Sequence, residues 1–416
     1  MVFPMTRRDG SPSVNATLPA TVLAALAGMS AALLGPLIGT APRGMPVWLI
    51  VTALVAAAAL AHTGRLAALR PGRFGLAAVG GFVVLAAASV AWSPSGRALA
   101  TTLEIAYVAT GALLAGSWIA TLSEADAGRL ARLFVGGLVL GIAAFTVEDA
   151  LGYPVHQWIN GKATGYAIDD SNVPKRTAVL FALLVWPGAL ALHRAGLRTA
   201  ALALPALYAA SSVLQSSRSA MVGVVVGLAA FALARASAMW FRRALAALLV
   251  VAFTGALPLA LFLDRGLGLA DASWLFTSAR HRVEIWSLAA NRALESPLLG
   301  QGIDSSRALK IAGEFRRFAV EDATLLPLHP HNAFLQVWLE TGAAGAMLAL
   351  ALALLTLGGT RRLPADEQPY ALALFAAALV MVSTAYGIWQ AWWMAGIVAS
   401  GLMLRLAARA PRRGAA

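Results

Sequence analysis

The chain has 416 residues, of which 59% are hydrophobic and only 12% are charged. Ordinary soluble domains carry about 25% charged residues, so the composition excludes a string of soluble domains and indicates one polytopic membrane domain. The net charge of +13 does not indicate nucleic-acid binding, because most basic residues lie in short segments between apolar runs, the pattern that orients membrane helices.

Apolar runs long enough to cross a bilayer as helices recur along the whole chain. The first follows Arg7 and Arg8, and its length indicates an uncleaved first helix rather than a signal peptide. The pattern predicts an all-α polytopic membrane protein with about twelve transmembrane helices. The candidate runs are about 17–39, 45–62, 74–92, 99–120, 130–151, 176–193, 199–215, 219–235, 244–263, 332–357, 369–386 and 388–408.

The distribution of basic residues predicts the orientation of these helices. With a cytoplasmic N-terminus, 18 basic residues fall in cytoplasmic segments and only six in short outer loops. An even number of helices then places both termini in the cytoplasm. The six outer residues are Arg43, Arg97, Lys162, Lys175, Arg176 and Arg218.

A polar segment at residues 264–330 lies on the predicted outer face. Loops of this length are uncommon and usually functional. Residues 280–294 have the spacing of an amphipathic helix, and Asp304 is predicted to cap a second helix, so the segment is interpreted as a partly helical lid. We therefore divide the chain into an N-terminal bundle of about nine helices (1–263), an outer loop or lid (264–330) and about three C-terminal helices (331–416).

Two histidines flank a proline where the outer segment meets the next apolar run. Histidine exchanges protons near neutral pH, so His329 and His331 are candidate bases, and the alternative is a pair of interfacial histidines. A metal site is disfavoured, because there is no cysteine and no His or Glu at the spacing that zinc uses. A polar stripe continues down the run at Asn332, Gln336 and Glu340.

Outer arginines provide candidate anion sites. Arg218 follows two polar residues at the start of the apolar run 219–235. Its guanidinium can bind two phosphate oxygens of a ligand, or it can reach the headgroups of the membrane lipids. Arg280 and Arg282 flank His281, either on a solvated helix start or as part of a split diphosphate site.

Three sequence blocks resemble the O-antigen ligase and polymerase superfamily of bacterial envelope glycosyltransferases. The first is His331-Asn332, nine residues, Gly342, two residues and Gly345. The second pairs Arg282-Val283-Glu284-Ile285-Trp286 with residues 297–302, PLLGQG. The third is Ser217-Arg218-Ser219-Ala220.

The resemblance implies a GT-C-like transferase of a Gram-negative inner membrane, without a cofactor or metal, acting at the periplasmic face. Its donor would be a glycan on undecaprenyl diphosphate and its acceptor a lipid A–core sugar. His331 would be the general base, and Arg218 and Arg282 would bind the diphosphate. Supporting candidates are Arg280, Arg265, His329 and Asn332.

Other functions remain open at this point. A polymerase or a protein O-oligosaccharyltransferase of the same superfamily would show the same histidine motif. An anion transporter is an alternative from another functional class. It is less favoured, because transporters usually carry internal repeats and a polar site near the membrane midplane. Glu104, Glu148 and Asp149 lie near outer helix ends and are interpreted as interfacial carboxylates or as sugar or arginine partners.

Overall fold

The computed structural model describes residues 19–69, 72–159, 172–213, 217–309 and 329–413. The regular elements in these ranges are all helical. The α-helices are α1 (Ala20–Thr40), α2 (Met45–His62), α3 (Arg73–Ser89), α4 (Ala98–Thr121), α5 (Glu124–Ala150), α6 (Pro154–Ile159), α7 (Asn172–Arg194), α8 (Arg198–Ser212), α9 (Arg218–Thr254), α10 (Ala256–Leu261), α11 (Thr277–Glu295), α12 (Ala333–Gly359), α13 (Gln368–Thr384) and α14 (Ala391–Arg409).

Eight helical segments in the described ranges are long and apolar enough to cross a membrane. Two further apolar helices, α3 and α13, have 17 residues each. At 1.5 Å per residue, 17 residues rise about 26 Å, slightly less than the roughly 30 Å of a bilayer core. The prediction of an all-helical polytopic membrane protein is confirmed, whereas the count of about twelve spans is not.

The predicted runs 219–235 and 244–263 correspond to two separate helical segments. The 37 residues of α9 form two helices that meet at Ser237, whose φ of −157° and ψ of 98° are not helical. Arg242, just after this kink, contacts Thr360 at the end opposite to the histidines, whereas the carbonyl of Phe253 near the end of α9 binds Trp338 of α12. The hydroxyl of Ser237 accepts a hydrogen bond from the backbone N–H of Trp240 at 3.3 Å, as the N-cap of the second half does. The second predicted run then spans the end of α9, a break at Gly255, and α10.

Helix α7 lies at the centre of the bundle. In the apolar part of α7 that is long enough to cross a membrane, 83% of the residues are buried, the highest fraction among the eight candidate spans. It packs against α5, α8, α13 and α14. One hydrophobic cluster therefore joins helices from both halves of the sequence.

The predicted amphipathic helix of the polar segment is present as α11. Its Ile285 and Ala289 are buried and pack toward the bundle, as the helical spacing predicts. The prediction that Asp304 caps a second helix is wrong in its geometry. Asp304 has a left-handed backbone before a three-residue turn and makes no capping bond. Most of that second helix would fall at residues 310–328, outside the described ranges.

Contacts between connecting segments define the two ends of the bundle. At one end, which we call the histidine end, His331 contacts the connection between α13 and α14. At the opposite end, Arg65 after α2 binds the carbonyl of Thr121 at the end of α4, and Arg412 after α14 binds Glu367 before α13. The division into 1–263, 264–330 and 331–416 stays a prediction.

Candidate active site

The imidazole of His331 is held from one side by the backbone. Its Nδ1 lies 2.7 Å from the carbonyl oxygen of Ala385, just after α13. A carbonyl only accepts hydrogen bonds, so Nδ1 carries the proton and the lone pair of neutral His331 is on Nε2. Nε2 has no hydrogen-bond partner among the described residues. The ring is therefore arranged as a proton acceptor.

The electrostatic surroundings keep His331 neutral. Burial lowers the pKa of its imidazole, and the positive charge of Arg282 lowers the pKa further. The bond to Ala385 acts in the opposite direction but is smaller than the effect of burial. A neutral imidazole at physiological pH is the form that a general base requires.

His329 packs against His331 and has a different role in the structure. The two ring centroids lie 4.3 Å apart with nearly perpendicular planes. Nδ1 of His329 accepts a hydrogen bond from the backbone N–H of His331 at 3.3 Å. Burial is the largest cause that lowers its pKa to about 3, and the coupled titration of the His331 ring and the positive charges of Arg307 and Arg282 lower it further. His329 therefore stays uncharged and supports the loop that carries His331.

Helix α11 holds the loop and brings an arginine beside it. The indole N–H of Trp286 donates to the carbonyl oxygen of Pro330 at 2.8 Å. Arg282 lies one turn earlier on the same face, since residues four apart are neighbours on a helix. It is half-buried, burial lowers the pKa of its guanidinium, and it makes no hydrogen bond or ion pair within the described ranges. The Arg-x-x-x-Trp block thus provides one charge and one anchor.

Asn332 begins helix α12. Its side-chain oxygen accepts hydrogen bonds from the backbone N–H groups of Phe334 at 3.0 Å and Leu335 at 3.2 Å. This is the geometry of an N-cap, which satisfies two of the first free N–H groups of a helix. The described contacts of Asn332 explain its place in the motif by helix capping, and its predicted supporting role in catalysis stays a prediction.

Gly342 interrupts helix α12 instead of packing against another helix. Its φ of 58° and ψ of −160° are accessible to glycine but strained for other residues. The gap admits the 297–302 segment: the N–H groups of Ala343 and Ala344 bond to the carbonyls of Pro297 and Leu298, and the N–H of Gln301 bonds to Leu339. The two glycine-containing blocks of the sequence therefore form one backbone junction.

Glu340 lies at the centre of this junction and is completely buried. One carboxylate oxygen accepts from the Trp389 indole at 2.7 Å and from the backbone N–H of Asp304 at 2.5 Å. The other accepts from Ser306 at 2.5 Å and Gln336 at 3.0 Å. The polar stripe predicted beneath His331 is thus a network that ties α12 to the polar segment and to the connection before α14.

The structure places Arg218 near the start of α11. Arg218 is exposed at the first residue of α9, and its guanidinium carbon lies 5.6 Å from the ring centroid of Phe276, which precedes α11. Ser217 caps α9 by accepting from the N–H of Ala220. Arg282 and His331 influence each other electrostatically, whereas the described contacts do not join Arg218 to either of them.

The remaining arginine candidates lie on or beside α11. Arg265 donates to the side-chain oxygen of Asn291 at 2.8 Å, and Arg280 lies 3.4 Å from the hydroxyl of Thr277. The three carboxylates predicted near the outer helix ends also have partners. Glu104 forms an ion pair with Arg97, and Asp149 accepts a hydrogen bond from the hydroxyl of Tyr153. Glu148 is hydrogen-bonded to the backbone N–H groups of Val155 and His156 and to the His156 ring.

The metal prediction is not decided by the structure. No group of three or more His, Cys, Asp or Glu side chains is gathered in metal-binding geometry within the ranges described.

Two contacts at the site could not be predicted from the sequence motif: the hydrogen bond of His331 to the Ala385 carbonyl and that of Trp286 to Pro330. The first comes from backbone geometry 54 residues away, so side-chain patterns carry no signal for it.

Fold and site together define a polytopic helical membrane protein with a neutral histidine and a half-buried arginine at one end. The family model for O-antigen ligase matches residues 200–350, a range that contains Arg218, Arg282 and His331. Over this range the chain is therefore similar to O-antigen ligases.

Similar proteins carry related names. A protein of Rickettsia felis, provisionally named a polysaccharide ligase, is 29% identical over 263 residues, which are 62% of this chain and 63% of that protein. A protein of Rickettsia conorii with the same kind of name is 37% identical over 119 residues, 28% of this chain and 29% of the relative. The matches thus span less than two thirds of the length of these relatives.

Proposed function

We propose that this protein is an O-antigen ligase, a membrane glycosyltransferase that moves a glycan from undecaprenyl diphosphate onto a hydroxyl of a lipid A–core sugar. The observation that carries the proposal is the state of His331, neutral, held at Nδ1 by Ala385 and open at Nε2, with Arg282 nearby. A base next to a fixed cation is what displacement of a diphosphate by a hydroxyl requires.

The reaction proceeds as one displacement. The acceptor hydroxyl gives its proton to Nε2 of His331, and its oxygen forms a bond to the anomeric carbon of the donor glycan. The bond from that carbon to the diphosphate oxygen breaks, and its electron pair leaves with the diphosphate. Because the oxygen attacks opposite to the leaving group, the configuration at the anomeric carbon is inverted.

Arginine charges assist the leaving group. Arg282 and Arg218 are the residues proposed to bind the diphosphate, since guanidinium binds phosphate oxygens through paired hydrogen bonds. The half-buried position of Arg282 strengthens this effect, because electrostatic stabilisation is larger where water is excluded. Arg280, Arg265 and His329 are proposed to support the site, Arg280 and Arg265 from the α11 region and His329 through the His331 loop. The proposed transfer uses no metal or cofactor.

The proposed location is the inner membrane of a Gram-negative bacterium, with a GT-C-like arrangement of helices. The excess of basic residues in alternate loops supports cytoplasmic termini and a periplasmic histidine end. Both substrates are amphipathic lipids, so the site must be reached from the membrane. This matches a site at the end of a membrane-spanning bundle.

The direct test is transfer by the purified full-length protein. Undecaprenyl-diphosphate glycan and lipid A–core are mixed with the protein in detergent, and the lipid A–core product is followed by its shift on a gel. We expect product formation that persists in the presence of a strong chelator. Absence of transfer, or loss of transfer that a divalent cation restores, would contradict the proposed reaction.

A polymerase or a protein O-oligosaccharyltransferase would use the same base and leaving group with another acceptor. The names of the Rickettsia relatives favour the ligase. A deletion strain separates the alternatives: a missing ligase leaves long polymer on the lipid carrier, whereas a missing polymerase leaves single repeats on the core.

A further inference from the structure

A polar cavity opens at the histidine end, and its described lining comes from segments other than α9 and α11. Its volume is about 430 Å³, within the roughly 300–1,000 Å³ of small-molecule sites. The loop between α1 and α2, the starts of α4, α7 and α14, and the turn after Asp304 all contribute to it. Its principal side chains are Arg43, Arg97, Arg176, Arg307, Trp389 and Trp392.

The cavity has an excess of positive charge. Two carboxylates line it with the four arginines: Glu104 lies 3.4 Å from Arg97, and Asp304 lies 2.8 Å from Arg307. Arg43 is exposed and makes no hydrogen bond or ion pair within the described part of the chain. Among the described lining residues, arginines outnumber carboxylates by two, and this excess of positive charge favours a ligand with a phosphate or carboxylate group.

Aromatic faces and an amide complete the lining. The guanidinium carbon of Arg176 lies 5.7 Å from the ring centroid of Trp392. Gln390 accepts from the Trp392 indole through its oxygen at 2.8 Å, which directs its NH₂ group to other partners. Indole rings offer apolar faces and arginines and amides offer donors, the combination that suits a sugar with apolar ring faces and many hydroxyls.

One short connection joins this cavity to His331. Ala385 at its start binds the His331 ring, and Trp389, four residues later, lines the cavity while donating to Glu340. Four residues of extended chain cover at most about 14 Å. A ligand in the cavity therefore lies close enough to the proposed base to belong to the same reaction.

We propose that this cavity binds an anionic sugar, phosphorylated or carboxylated, and that this sugar is part of the acceptor saccharide. The second statement rests on the proposed transferase function, whereas binding of the anionic sugar does not. The acceptor is favoured over the donor, because the diphosphate of the donor is assigned to Arg218 and Arg282, and neither lines the cavity.

The binding test uses glucose 1-phosphate as the probe on the full-length protein in phosphatidylcholine nanodiscs. We expect saturable binding by calorimetry, no binding of glucose, and an affinity at least about tenfold lower in Arg43→Gln, the loss expected for one charge-assisted hydrogen bond. The matched control is Arg129→Gln, which removes an exposed arginine on α5 and should leave the affinity unchanged. Equal binding of glucose, or an unchanged affinity in Arg43→Gln, would overturn the proposal.

Two further arms identify the source of the anion. If inorganic phosphate binds as tightly as glucose 1-phosphate, the site takes a free anion and the sugar assignment fails. If phosphatidylglycerol in the nanodisc displaces the sugar in the parent protein but not in Arg43→Gln, the site takes a lipid headgroup and the sugar assignment also fails. In the transfer assay, Arg43→Gln should raise KM for the acceptor about tenfold with kcat and the donor KM unchanged. A parent protein that binds the probe but transfers nothing would remove the proposed function and leave the anionic-sugar site standing.

Discussion

Nδ1 of His331 and the carbonyl oxygen of Ala385 are joined by a 2.7 Å hydrogen bond between the start of α12 and the end of α13. The bond fixes which ring nitrogen carries the proton, and it leaves Nε2 as the acceptor. A backbone carbonyl cannot be lost by a side-chain substitution. The orientation of the base is thus determined by the packing of two membrane helices.

His331→Ala and His331→Gln should each lower kcat for transfer by about 10²–10⁴-fold, because both remove the general base. Folding should be preserved, since the ring is only partly buried at the end of the helix. Transfer to lipid A–core measures the effect, and His62→Ala, an exposed histidine at the end of α2, is the control. Activity in His331→Ala equal to that of the control would rule out this assignment.

The pH profile of kcat/KM should have its acid limb below pH 6.5. Burial and the charge of Arg282 lower the pKa of His331, so the ring stays neutral at pH values where a free histidine is half protonated. The pH at which kcat/KM falls to half of its plateau should then lie below 6.5, the pKa of a free histidine.

Arg282→Gln provides the matched comparison for that profile. Removing the cation lowers the rate by weakening diphosphate binding, and it also relieves the electrostatic depression of the His331 pKa, so the acid limb should move to higher pH. A purely structural effect of the substitution would lower the rate without moving the limb. An acid limb at or above pH 6.5 in the parent protein would contradict the assignment of His331.

The sequence was informative about this site where side chains carry the geometry. The apolar runs predicted the helices, and the spacing of residues 280–294 predicted α11, because burial of one helical face leaves a regular pattern. The boundary between the two runs in α9 was placed less precisely, because a single extended residue, Ser237, divides the two helices. The role of Gly342 was also missed, since the sequence shows a glycine but not the chain segment that enters beside it.

Gly342→Ala should destabilise the protein by about 1–3 kcal/mol or more. A side chain at this φ of 58° is strained, and a Cβ atom would lie 2.5 Å from the backbone of Leu298. The melting temperature in detergent should fall. Gly401→Ala is the control: this glycine lies in helix α14 with open space around it, and its substitution should leave stability unchanged or slightly raised. Equal melting temperatures in the two variants would argue against the strained junction.

Glu340→Gln should weaken the network that joins α12 to the polar segment. The carboxylate accepts four hydrogen bonds, from Trp389, Asp304, Ser306 and Gln336. An amide would direct two N–H donors toward groups that are themselves donors, and each unmatched buried group costs about 1–3 kcal/mol. We expect a lower melting temperature than in Glu295→Gln, an exposed glutamate at the end of α11. A Glu340→Gln variant that melts with the parent protein would show that the network contributes nothing.

Trp286→Phe should separate the position of His331 from its chemistry. Phenylalanine keeps an aromatic ring against the bundle but loses the indole N–H that donates to Pro330 at 2.8 Å. Because a small displacement of a base costs much of its contribution, kcat should fall about tenfold or more while the acid limb of the pH profile stays in place. Trp240→Phe, an exposed tryptophan on α9, is the matched control and should retain full activity. If kcat in Trp286→Phe equals that of this control, the anchor to Pro330 does not position the base.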